Sequence, residues 1–527
     1  MRKIIACIVC LVILGSCFAF VQKDNSINVF VDGKQLEFDV APVIVEGRTL
    51  LPLRGIFETL NIEVSWDGET KTVTGISNDK EIVLKVDSKV ALINGKEVTM
   101  DVPAKIIDNR TMVPVRFIAE STGLNVSWDE NSRSVMISSN IKTDSVTNQN
   151  YKKYVSEKDI IRDTSKLGSV YKKYYSKYIQ YMAPNGKPIT IVAHDKVSDE
   201  QVLKAYNQLS FYLEDFGAYK KGPIANKMAE NGAVLVMPNG ADRESDIPEK
   251  ALQGQPLYQM EVPTVGSKWY TKNDYEHRDA AYEEILHMVH DYGIGTKSNP
   301  GALPKLQDEI YKAMKNSMPT NKSDWGKKGL WGLDSKDWLL ELEKEGSLEQ
   351  EYLASVVDSY YGLWAAFTEN DGGMWGIYTS KTREDIKKND PMGYKIVSEF
   401  LPSHITYMAR VESEFSGTFK MYYDEKEPYT HKSKYLKNAR LLGSKNTELV
   451  GNSESNILMG NSGNNKINGK KGVDIVQFSG KSTDYYISKN GIKIIVTDNL
   501  NRDGVDTLKD IEVLRFIDKD VSFSEIQ

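Results

Sequence analysis

Tyr282-Glu283-Glu284-Ile285-Leu286-His287-Met288-Val289-His290-Asp291 gathers more ligand and proton-transfer chemistry than any other run in this chain. The sequence has 6 histidines, and His287 and His290 stand here beside Glu283 and Glu284. At about 100° per residue, Glu283, His287 and His290 share one helix face. One helix can present ligands to a metal in this way. A surface helix with a solvated charged face is the other reading, so the flanking elements must decide.

Those elements can be placed from their patterns. Ile189–Ala193 reads as a strand, and Ser198-Asp-Glu-Gln201 is a capping box opening a helix through about Glu214. Ala233–Met237 is a second strand, closed by Pro238-Asn239-Gly240. A loop rich in Pro and Gly follows to about Asp274, and the Glu/His helix runs from near Arg278 to Gly293 or Gly295. Ser347-Leu-Glu-Gln350 is a second capping box, opening a helix from Glu349 to about Phe367 that carries Glu351 and Asp358 on one face.

This order is similar to the upper lobe of zincin metallopeptidases, whose helix carries His-Glu-x-x-His. Glu351-Tyr352-Leu353-Ala354 resembles the Glu-x-x-Ala pattern of their third-ligand helix. The likeness, to anthrax-lethal-factor-like zincins, covers about residues 185–370. It implies zinc held by Glu283, His287 and Glu351, with Glu284 as general base and His290 as the alternative ligand. Glu283 stands where the family has its first His. A carboxylate there lowers the charge and Lewis acidity of a zinc site, so this residue decides between an enzyme and an inactive relic. His194, His277, His404 and His431 are scattered and read as structural or exposed.

A rival reading comes from Trp269, Trp325, Trp331, Trp338, Trp364 and Trp375. Exposed indoles stack on sugars, which would make this a non-catalytic wall-binding or adhesion protein. Trp338 reads as core, and the loop Asp371–Gly376 as the border of a cleft.

Upstream lies a duplication. Arg48-Thr-Leu-Leu-Pro-Leu-Arg54 matches Arg110-Thr-Met-Val-Pro-Val-Arg116 at an offset of 62, which also maps Trp66-Asp67 onto Trp128-Asp129. Alternating strands and hairpin dipeptides surround both copies, and a short helix is expected after each: Gly55 to Leu60 and Phe117 to Thr122. The doubled signature resembles the copper amine oxidase N-terminal-like domain of exported Firmicutes proteins, over residues 27–138. The module has no His, Cys or Tyr, so it lacks both soft copper ligands and a quinone precursor. Arg48, Arg54, Arg110 and Arg116 are expected in structural ion pairs.

From Gly451 the chain runs in nonapeptides: Gly451–Met459, Gly460–Asn468 and Gly469–Gln477. Sixth positions are Asn456, Asn465 and Asp474; eighth positions are Leu458, Ile467 and Val476. The pattern, with the tail Asp506–Phe516, resembles RTX repeats of hemolysin-type proteins over about residues 440–527. That resemblance implies a parallel β-roll and calcium at Asp474, Asn465 and Asn456, weakened where Asn replaces Asp.

Composition sets the rest. With 527 residues, three or four domains are expected, and a net charge of −6, with both signs mixed along the chain, argues against a nucleic-acid binder, which would need a basic stripe. Residues 1–19 read as a signal peptide; Leu14-Gly15-Ser16-Cys17 also fits a lipobox, which would place a lipid anchor on Cys17. No transmembrane helix is expected in the mature chain. The expected domains are 27–138, a linker 139–165, a central region 166–437 and a C-terminal region 440–527. The expected fold class is multidomain: a duplicated β-rich (α+β) module, a mainly helical α+β zincin-like domain, and a C-terminal parallel β-roll. The expected function is a secreted, cell-surface modular protein with a calcium-binding repeat region and a metal-dependent, peptidase-like core. Its partners would be the cell wall or an extracellular protein or peptide substrate.

Overall fold

The duplicated motif pairs with itself. In the computed structural model, strand β1 (Arg48–Pro52) lies antiparallel to strand β2 (Arg110–Pro114), with Leu51 opposite Val113. Alternation along these strands serves two cores. Leu51 and Val113 pack with Ile56, Phe57, Phe117 and Ile118, while Leu50 and Met112 pack with Val102. Each copy then turns into a short helix, α1 (Leu53–Thr59) and α2 (Val115–Thr122), both starting two residues earlier than the sequence indicates. All four arginines form ion pairs. Arg48 and Arg116 meet Asp101 at 2.7 and 2.9 Å, Arg110 Nε meets Asp39 at 2.7 Å, and Arg54 meets Glu58 at 3.9 Å.

The structure describes residues 27–526 except 32–33, 60–61, 78–79, 123–124, 130–132, 139–154, 276–277, 298, 370 and 492. The expected signal peptide with Cys17, the polar stretch 139–150 and His277 lie outside the described residues. The chain divides into two units, Met1–Asn140 and Ile141–Gln527. It is multidomain, β-rich at its start, helical in its middle and built of sheets at its end.

Residues 155–165, expected as linker, are folded: Ile160 is buried and Ile161 bridges to Tyr178. Next comes a four-stranded sheet of β3 (Lys177–Met182), β4 (Pro188–Ala193), β5 (Val234–Met237) and β6 (Gln255–Pro256). β3 is antiparallel to β4, and the remaining pairs are parallel. Helix α3 (Asp199–Tyr212) starts at the Ser198/Gln201 capping box, as its sequence indicates. It packs on α4 (Ala281–Val289), the Glu/His helix, and Tyr212 Oη donates to the Tyr282 carbonyl at 2.7 Å. On its other side α4 meets α5 (Leu348–Tyr360).

Two details of these helices depart from the pattern. α5 stops at Tyr360 rather than Phe367, because Gly362 turns left-handed (φ +69°) against the His431 carbonyl. Ser347 makes no side-chain cap, since Gln350 instead donates to Asp291 Oδ1 at 2.6 Å and ties α5 to the end of α4.

Two six-stranded sheets finish the chain. In one, Ile405–Val411, Leu436–Leu441, Ile457–Met459, Ile475–Gln477 and Val513–Arg515 run parallel, with Asp520–Ser522 antiparallel at the edge. In the other, Gly417–Lys420, Thr447–Val450, Lys466–Asn468 and Val505–Lys509 run parallel before an antiparallel hairpin. Both sheets take strands from before residue 440. Leu458, Ile467 and Val476 are buried, in one core that continues back to Ile160.

Candidate metal centre

α4 is buried nearly throughout: Glu283, Ile285, Leu286, His287 and Met288 are all covered. It is therefore not a solvated surface helix. Glu283 and His287, one turn apart, meet Glu351 from α5, and one ligand atom from each lies within 4.8 Å of the others. His287 Nε2 stands 3.8 Å from Glu351 Oε1 and has no hydrogen-bond partner. Among the described residues this is the group of His and acidic side chains able to hold a metal. A carboxylate–imidazole–carboxylate donor set with an orphaned imidazole nitrogen could hold a metal ion.

His290 is elsewhere. His290 keeps α-helical register, its N–H bonded to the Leu286 carbonyl, and the helix widens into a π-turn only from there on, over His290–Ile294. The His290 Nε2 lies 2.5 Å from Gln307 Oε1, and Gln307 in turn donates to Glu349 at 3.0 Å. The structure thus gives His290 a structural partner and does not bring it to the triad.

Glu284 supports the triad from behind. Its Oε2 accepts from Gln255 Nε2 on the edge strand at 2.8 Å and stands 3.5 Å from His287 Nδ1. It fixes the imidazole so that Nε2 faces Glu351. Burial works to raise the Glu284 carboxyl, but the hydrogen bond and charge of His287 and the charge of Arg278 outweigh it and hold it low. Burial likewise opposes charge on His287, yet Glu351, Glu284 and Glu283 push it up to about 10. Glu351 is pushed up to about 8 by burial and by the neighbouring Glu283 carboxylate. Asp358, two turns further along the same face of α5, is raised by burial and then by Glu283; it accepts from Trp364 Nε1 at 3.1 Å. Too many buried carboxylates for the local positive charge is the common cause.

Sequence reasoning missed the cation that answers them. Arg278 Nη1 is ion-paired with Glu283 Oε2, and Nη2 lies 3.5 Å from Glu284 Oε1. Glu261, from the preceding loop, joins the group: burial pushes it up to about 7, and the charges of Arg278, Glu284 and Glu283 all act on it. The adjacent Asp279 is fully buried and ion-paired with Lys204 on α3, which also donates to the Pro263 carbonyl at 2.5 Å. The available signal was the Arg278-Asp279 doublet directly before α4, a position where charge reads as ordinary helix decoration.

The tryptophans are mostly core. Trp269, Trp325, Trp331 and Trp364 are buried, and Trp338 is partly covered against the same core. Trp375 is 40% exposed, in the loop expected to border a cleft, with its ring 5.9 Å from the Arg278 guanidinium.

In the C-terminal sheets the turn amides are spent on protein. Asn456 Oδ1 accepts from the Asn452 N–H at 2.9 Å, and its Nδ2 donates to the Lys437 carbonyl at 2.9 Å. Asn465 repeats this with Asn461 at 2.9 Å and Lys445 at 3.4 Å. Asn461 Nδ2 bridges the Leu442 and Lys445 carbonyls at 3.0 and 3.1 Å. Asp474 and Asp506 each accept one backbone N–H at 2.8 Å, from Asn456 and Asn465, and each keeps a second buried oxygen without a hydrogen-bond partner.

Comparison with known proteins bears on the first unit. Residues 30–137 match the family model of the copper amine oxidase N-terminal domain. Residues 30–137 are a copper amine oxidase N-terminal domain. The name carries no copper chemistry here, because that domain has no His, Cys or Tyr to supply it. No curated protein matches the chain.

Proposed function

We propose that this chain is a secreted, cell-surface modular protein whose second unit is a zincin-like, zinc-dependent hydrolase of peptide bonds. The observation that carries the reading is the convergence of Glu283, His287 and Glu351, from two helices, to within 4.8 Å. Zinc held by these three side chains would polarise a carbonyl and lower the pKa of a bound water. Glu283 and Glu351 supply anionic oxygen ligands, His287 supplies Nε2, and Glu284 holds His287 from Nδ1. Glu284 also occupies the sequence position of the general base, but its carboxylate is engaged by Gln255 and stands on the Nδ1 side of His287. Slow turnover is expected from that placement and from the second carboxylate ligand. The burial of Trp269, Trp325, Trp331 and Trp364 removes most of the platforms that an adhesion reading would use.

We read the C-terminal sheets as a β-roll of RTX type. Its turns are held largely by Asn side chains, and the second oxygens of Asp474 and Asp506 are where calcium would bind.

Zinc titration of the full chain tests the central claim. One zinc per chain is expected, lost in Glu351→Ala and in His287→Ala, with peptide cleavage abolished in both. A chain that takes up no zinc refutes it.

A further inference from the structure

Arg278 pairs with Glu283, one of the three residues a metal would need. Its Nη1 pairs with Glu283 Oε2, and its other nitrogen approaches Glu284. Glu283, Glu284, Glu351 and Asp358 all act on its charge, so the guanidinium lies within the carboxylate cluster. The planar fork suits two carboxylates at once, where an ammonium would serve one.

The backbone that carries this side chain is anchored from the next residue. Asp279, the next residue, is pinned by the buried ion pair with Lys204. The Arg278 side chain is 20% exposed, so it is in part open to solvent. Over it stands Trp375, itself 40% exposed and packed edge-on against Trp364 at 4.9 Å. Met374 and Trp375 are held left-handed at φ 46° and 53°, a conformation that costs a non-glycine residue energy and that collects at functional sites. Hydrogen bonds fix them there: Gly373 N–H to the Tyr378 carbonyl at 2.7 Å, Ile377 N–H to the Met374 carbonyl at 3.0 Å, and Ser355 Oγ to Met374 Sδ at 2.8 Å. Ser355 lies one turn beyond Glu351, so this loop is built onto the ligand helix. The strained loop therefore holds an indole face beside the guanidinium, and such a face attracts that cation.

We infer that Arg278 is the chain's own occupant of the metal site, competing with a divalent cation for Glu283 and withdrawing to the face of Trp375 when the cation binds. This rests on the reading of Glu283, His287 and Glu351 as metal ligands. The device makes zinc affinity adjustable by one side chain. Whatever draws Arg278 outward, such as an acidic group on an approaching substrate, favours metal binding.

Zinc ion is the probe, titrated into the full chain and read by calorimetry and tryptophan emission. Arg278→Ala is expected to bind zinc at least tenfold tighter than the wild type. Arg278→Lys keeps the charge but loses the fork, so it is expected to bind tighter than wild type and weaker than Arg278→Ala. It also gives a result if the alanine variant fails to fold. Zinc is expected to change tryptophan emission in the wild type, and the change is expected to vanish in Trp375→Phe. Equal zinc affinity in wild type, Arg278→Ala and Arg278→Lys, with zinc bound in each, overturns the inference and leaves the metal site standing. No zinc in any variant, Arg278→Ala included, overturns the metal site itself and this inference with it.

Discussion

Lys204 and Asp279 show what a buried charge demands of its surroundings. Asp279 is completely buried, and burial raises its carboxyl, while burial lowers the Lys204 amine that faces it. The pair is worth little against an apolar pair of the same size, but breaking it strands one charge. Lys204→Met is therefore expected to cost about 3–5 kcal/mol in urea unfolding. The double variant Lys204→Met/Asp279→Leu is expected to recover much of that loss. Equal loss in both would mean that packing, and not the stranded carboxylate, sets the cost. The pair matters to the metal centre because Asp279 holds the backbone from which Arg278 reaches Glu283.

At the level of elements, a neighbouring helix decides what each histidine of α4 does, because Gln307 on Pro304–Ser317 holds His290 away from the triad. One helix end then serves two purposes: His287 faces Glu351, and His290 closes a hydrogen-bonded chain through Gln307 to Glu349. The asparagines of the C-terminal turns work similarly, since each satisfies carbonyls that a bound cation would otherwise meet. Asn461→Ala removes the side-chain partner of the Leu442 carbonyl and of the Gly463 N–H, while the Lys445 carbonyl keeps Asn465 and Thr447. Each orphaned buried group costs about 1–3 kcal/mol, so a loss of at least about 2 kcal/mol is expected. A calcium chelator is expected to lower the urea midpoint of the wild type by less than this substitution does. A larger chelator effect would show that ions, not amides, hold the turns.

For the whole molecule, acid sensitivity follows from how carboxylates are paired. Burial works to raise the Asp498 carboxyl, but Arg502 and the N–H groups of Leu500, Asp503 and Arg502 hold it down to about 2, below its ordinary 3.8. A depressed carboxylate stabilises the fold above its unfolded pKa, and that contribution disappears as pH falls through the folded value. Asp498 is therefore expected to contribute about 2 kcal/mol at neutral pH, lost between pH 3.8 and about 2. Asp498→Asn is expected to lower stability at neutral pH and to flatten its fall across that window, followed by urea midpoints against pH. An unchanged slope would assign the acid transition to other carboxylates.

Much of this was legible in the residues themselves. The Arg-Thr-x-x-Pro-x-Arg duplication, the strand Ile189–Ala193, the Ser198 cap and the buried eighth positions of the nonapeptides are local patterns. Local hydrogen bonding and side-chain period suffice to set them. The spacing of Glu283 and His287 on one helix, and the choice of Glu351 as a distant partner, also came from sequence. What the sequence could not set is anything that depends on which surfaces meet. The capture of His290 by Gln307, the use of Gln350 to tie α5 to Asp291, and the arrival of Arg278 among the carboxylates are settled by packing between helices remote in the chain. A charge before a helix looks the same whether water or a glutamate will face it, and only the tertiary fold decides that the partner of Arg278 is Glu283.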